Sequence, residues 1–173
     1  MVKVSKRQGY QRHTGSVSQR QLDKVLIAIW SEYDRRRPSS FAESDIFSRT
    51  KSENAKYFLM REIYALGLHI IAKQPRFSPQ DLINMRRNRN TTRPEFSPGT
   101  FHALFMATFK EDDQISRSER WLMARELKYA SRHNIRPELL CGFLLQSGTR
   151  KEINKKLDQG YIEPAFRKLL DND

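Results

Sequence analysis

From Ser18 onward, apolar residues recur at intervals of three and four, and this spacing restricts the chain to amphipathic helices. Leu22, Val25, Leu26, Ile29 and Tyr33 fall on one helical face, and the helix is expected to stop before Pro38. Start signals recur in step with the pattern. Ser18 with Gln21, Thr50 with Glu53, Ser116 with Glu119 and Thr149 with Glu152 all have capping-box spacing, the side chain of the first accepting from the third helical amide. A longer helix beginning near Thr50 or Ser52 carries two apolar stripes. One is Leu59, Ile63, Leu66 and Ile70; the other is Tyr57, Met60, Tyr64 and Leu68. A helix apolar on two sides packs from both directions. Gly67 is expected to interrupt it, leaving Leu68-His69-Ile70-Ile71 as a short strand.

The expected fold is therefore all-α or nearly so, with seven or eight helices in two packed lobes. Residues 1–17 read as a flexible basic arm, 18–73 as an N-terminal lobe, 74–96 as a basic linker and 97–173 as a C-terminal lobe. A short helix is expected from Phe41 to Ser48, and Ser78-Pro79 reads as a helix start with proline at its first position. In the second half, Phe101, Leu104 and Phe105 mark one helix, and Trp121, Met123, Leu127 and Ala130 another. Pro137 starts an apolar helix through Leu145 that Gly148 ends, and Gly160 separates the last two helices.

Charge narrows the function. A net charge of +12 at pH 7 attracts polyanions, and nucleic acid is the commonest partner of such a chain. Phosphate contacts are expected from Arg86, Arg87, Arg89 and Arg93, since arginine donates in a fixed fork that suits phosphate oxygens. Arg35, Arg36 and Arg37 form a second patch, although three cations at a helix C-terminus also suit the helix dipole. Lys3, Lys6, Arg7 and Arg12 supply the arm. The aromatic residues read as core and not as a stacking platform. DNA is favoured over RNA, and other subunits of a nucleoprotein complex are further expected partners.

Residues 19–72 supply a first apolar helix, the short segment Phe41-Ala42-Glu43-Ser44-Asp45-Ile46, and a third helix ending Met60-Arg61-Glu62-Ile63-Tyr64-Ala65-Leu66-Gly67-Leu68. In that order they resemble helix-turn-helix and winged-helix DNA-binding domains. The resemblance implies that the third helix enters the major groove, with Ser52, Asn54, Lys56 and Arg61 toward bases or phosphates. The turn Arg49-Thr50-Lys51-Ser52 departs from that pattern in lacking a glycine. An ordinary bundle, with the same helix as its core, is the other reading of these residues.

Other classes find less support. Cys141 is the single cysteine, which excludes an internal disulfide and a cysteine-cluster zinc site; it is expected to act as a small buried hydrophobe. The longest strongly apolar run, Val25 to Trp30, is far short of the roughly 20 residues a membrane-spanning helix needs. No membrane is expected, and a cytoplasmic location is. His13, His69, His102 and His133 are far apart, so no metal or other cofactor is expected. Glu126-Leu127-Lys128 with Asp112 and Asp113 has the acid–x–lysine spacing of metal-dependent nucleases, but it lies in a strongly helical segment and reads better as a surface ion-pair helix. The leading expectation is a non-enzymatic nucleic-acid-binding protein, a DNA-binding regulator or an accessory subunit. A helical module docking its basic surface on an acidic protein is the alternative, and a metal-dependent nuclease the next.

Overall fold

A computed structural model describes residues 19–37, 54–73, 81, 83, 99–109 and 115–166. Among the described residues the α-helices of defined extent are, in order, α1 (Gln19–Arg36), α2 (Ala55–Lys73), α3 (Thr100–Thr108), α4 (Arg117–Arg132), α5 (Leu140–Ser147) and α6 (Arg150–Asp158). A 3-10 turn, Pro137–Leu139, leads into α5. Among the described residues all regular structure is helical, so the fold is all-α.

Two helices organise the rest. α2 packs on α1, α3, α4, α5 and the 3-10 turn, while α4 packs on α2, α3, α5 and α6. The two apolar stripes of α2 explain its position: Leu59, Ile63, Leu66 and Ile70 are buried on one, Met60 and Tyr64 on the other. From residue 57 to residue 70 no position on α2 is exposed. Each large side chain fully buried there stabilises the fold by roughly 1.5–3 kcal/mol. Helices from both sides of residues 74–98 contribute to one continuous apolar cluster, from Leu22 and Leu26 on α1 to Ile153 and Leu157 on α6.

The strand expected at Leu68-His69-Ile70-Ile71 does not form; these residues continue α2 to Lys73. Gly67 is there because of a neighbour and not as a terminator. A Cβ at this position would stand 2.4 Å from Cε1 of Phe101, so the glycine admits the α3 ring against the α2 backbone. Helical residues at 68–71 keep the 3.6-residue face that buries Ile70, which a strand would have broken.

Punctuation in the second half follows local chemistry. The Ser116 side chain accepts from the Glu119 amide at 3.1 Å. Thr149 and Glu152 form the full reciprocal capping box. Gly148 (φ 112°) takes the left-handed conformation that ends α5. Beyond α6, the Tyr129 hydroxyl donates to Glu163 at 2.8 Å, and the Glu163 amide donates to Nε2 of buried His133 at 2.9 Å. Phe166 sets its ring edge-on to Phe143 and His133. Cys141, expected inside, is half-buried.

Candidate nucleic-acid interface

The cations that the sequence singled out divide into two groups. Arg86, Arg87, Arg89 and Arg93, together with Lys3, Lys6, Arg7 and Arg12, lie outside the described residues, as do Ser52 and the segment Phe41 to Ser48. Arg35, Arg36, Arg37, Lys56 and Arg61 are described, and each has an acidic partner.

At the end of α1, Glu32 receives Arg35 and Arg36, both at 2.7 Å, and Arg37 reaches Asp34 at 3.5 Å. The Arg36 guanidinium also stands 4.3 Å over the Phe58 ring. Hydrogen bonds from Arg35 and then Arg36 hold the Glu32 carboxyl down at about 2, against the opposing effect of burial. A depressed carboxylate adds stability that is complete above its ordinary value of 4.5 and is lost as pH falls toward 2. Because Arg35 keeps 72% of its side chain in solvent, the screened contribution is about 0.3–1 kcal/mol. Glu32→Gln should therefore lower the denaturation midpoint at neutral pH but leave it unchanged near pH 2, as measured by urea titration at the two pH values.

Lys56 pairs with Glu119 at 3.3 Å, and Arg61 pairs with its neighbour Glu62 at 3.3 Å while lying over the Phe58 ring. Along the middle of α2, from residue 57 to residue 70, every position is buried or partly buried. The Glu126–Lys128 spacing brings no acid and lysine together. Glu126 is buried and accepts from Arg150 at 3.0 Å, whereas Lys128 leaves the helix on the solvent side. An open cleft of about 220 Å³, lined by Tyr33, Lys56, Ile115, Ser116, Glu119 and Met123, contains the Lys56–Glu119 pair. Among the described residues no group of three or more His, Cys, Asp or Glu side chains is placed to hold a metal ion.

Among the described residues, positive charge concentrates on α4. Its inner face is Arg120, Met123, Ala124, Glu126, Leu127, Tyr129 and Ala130, all buried. Both acids of the helix, Glu119 and Glu126, turn to Arg150 at 3.0 Å, and that pairing holds Glu119 below the usual carboxylate range. The remaining face carries Arg117, Trp121, Arg125, Lys128 and Arg132, spaced four, four, three and four residues apart with no acid among them. At a rise of 1.5 Å per residue the row is about 22 Å long. Trp121, expected in the core, is 45% exposed.

α6 lies alongside and lengthens this surface. Arg125 donates to the Asn154 side chain, to the Asn154 carbonyl at 3.1 Å and to Asp158 at 2.5 Å. Arg132 donates to the Leu157 carbonyl at 3.1 Å. Next to these contacts the exposed Lys151 and Lys155 occur at i and i+4 on α6, on the flank shared with Asn154 and Asp158. Lys128, Lys151 and Lys155 make no ion pair with any described residue. Among the described residues, the α4–α6 surface thus gathers Arg117, Arg125, Lys128, Arg132, Lys151 and Lys155 around one acid, Asp158.

Sequence reasoning missed this surface because it followed the apolar side of each helix. The signal was present in the complementary positions: with Met123, Leu127 and Ala130 inside, Arg117, Arg125, Lys128 and Arg132 must share the opposite face. Comparison of the chain with protein-family models, curated proteins and solved structures yields no match.

Proposed function

We propose that this is a non-enzymatic nucleic-acid-binding protein whose described contact surface is the open face of α4 with the adjoining edge of α6. One observation carries the reading: an acid-free row of cations runs along a helix whose own acids are turned inward to Arg150. A helix row of cations over about 22 Å favours a partner with regularly repeated negative charge, and a phosphodiester backbone has that form. Arg35, Arg36 and Arg37, each paired with an acid on α1, are secondary in this reading. The arm and the Arg86 to Arg93 cluster remain sources of further phosphate contacts on sequence grounds.

The test is the salt dependence of binding. Replacing Lys128, Lys151 and Lys155 together by glutamine should shallow the plot of log affinity against log salt by about 0.7–0.9 for each phosphate contact removed. Arg35→Gln should barely change it. An unchanged slope in the triple variant, with its melting temperature intact, would overturn the assignment. So would equally tight binding to polyglutamate, which would make the surface a docking site for an acidic protein.

A further inference from the structure

Trp121 is the one large apolar side chain in the cationic row, and it is held in place. The Arg125 guanidinium lies 4.7 Å over the indole. That guanidinium is itself fixed by Asn154 and Asp158, and the Asn154 amide is fixed in turn by donating to the Arg150 carbonyl at 2.8 Å. The result is a flat aromatic surface, 45% open to solvent, on a support tied to two helices. Such preorganisation lowers the ordering cost that a flexible surface side chain would pay on binding.

An indole in this setting adds something the cations cannot. Phosphate contacts need only charge, whereas a π-face needs another flat group to cover it. In a duplex the base faces are already covered by their neighbours, and exposing one costs a few kcal/mol. In a single strand they are accessible. We infer that Trp121 stacks on an unpaired base, with Arg125 as its positioning residue, so that the ligand of the α4–α6 surface is a single-stranded polynucleotide. This rests on the proposed function above and specifies its substrate class. Arg117 precedes Trp121 and Lys128 and Arg132 follow it along the same face, with Lys151 and Lys155 exposed on the adjoining α6, so a strand stacked at Trp121 runs its phosphates past lysines that have no acidic partner among the described residues.

The experiment compares labelled oligothymidylate, oligouridylate, an abasic oligomer with the same phosphate count, and a duplex, by fluorescence anisotropy with the full chain. Base-bearing strands should bind about 5- to 100-fold tighter than the abasic one. Trp121→Ala should abolish that ratio without altering the salt slope, Trp121→Phe should retain part of it, and Arg125→Met should reduce it. In a Trp30→Phe background, the Trp121 emission should be quenched by base-bearing strands and not by the abasic oligomer. Melting curves confirm that each variant is folded. Stacking does not depend on the sugar, so an effect with either strand supports the inference. A base-to-abasic ratio unchanged in Trp121→Ala, or a duplex bound as tightly as the single strands, would overturn it while the lysine triple variant still reported on phosphate binding. Failure of that triple variant to change the slope would remove the underlying reading, and this inference with it.

Discussion

Gly67→Val should lower the unfolding free energy by about 3 kcal/mol, and Gly67→Ala by about 1–2 kcal/mol, although alanine is the better helix former by about 1 kcal/mol. The sign is decided by Phe101. A Cβ on residue 67 would come within 2.4 and 2.6 Å of two atoms of that ring and 3.4 Å from Leu104. The ring has little room to give way, because it is 5% exposed and stacks on Tyr64 with centroids 5.6 Å apart. Valine adds two methyl groups to the same gap. For a chain of this size, 3 kcal/mol corresponds to a fall in melting temperature of roughly 6–12 °C. Calorimetry on the two variants checks the order, and Phe101→Leu combined with Gly67→Ala should recover part of the loss. A melting temperature that rises in Gly67→Ala would show that α3 can move away from α2 at little cost.

Tyr64→Ala should be the more damaging replacement, at about 3–5 kcal/mol. Tyr64 is fully buried on α2, and its hydroxyl donates to the Ile135 carbonyl at 2.8 Å, across 71 residues of sequence. The phenol therefore fastens the N-terminal helices to the loop that follows α4. Tyr64→Phe separates the two contributions: it keeps the ring and leaves the Ile135 carbonyl unpaired, for about 1–3 kcal/mol. The same group gives an alkaline signature. Burial pushes the phenol above its ordinary value of 10, since the phenolate would lose its water. Above that value the unfolded chain ionises first, so stability is constant below about pH 10 and falls as pH rises further. Tyr129 is raised for the same reason, aided by its hydrogen bond to Glu163, and contributes in the same direction. Urea denaturation at pH 8 and pH 11 should show a smaller alkaline loss in Tyr64→Phe than in the parent chain. Equal losses would mean that Tyr64 titrates freely.

The fold was legible wherever one periodicity governed a segment. The 3.6-residue spacing of Leu22, Leu26, Ile29 and Tyr33 and the double stripe of α2 fixed which faces are buried. The capping signals Ser116 and Thr149 marked helix starts because cap geometry is local. Gly67 could not be read correctly, since what it accommodates is a ring 34 residues further along the chain. The candidate surface was hidden for a related reason. Runs of adjacent arginines stand out in a sequence, but residues adjacent in a helix point in different directions, and in the run Arg35-Arg36-Arg37 every member meets an acid three or four residues back. Cations separated by three and four residues look scattered in the sequence and come together only when the helix forms, as on α4. Trp121 was misread because a tryptophan at helical spacing suggests a core position, and only the burial of its neighbours shows that its face looks outward.

The encircling of α2 bears on how the chain is made. Its covering on the later side comes from α3, α4, α5 and the 3-10 turn, all of which follow it in sequence. At about 5–20 residues per second, a ribosome that has finished Lys73 needs roughly 3–12 s more to reach Arg132. At the start of that interval Leu59, Met60, Ile63, Tyr64 and Ile70 lack the later helices that enclose them, and they gain those partners one helix at a time as α3 and then α4 are made.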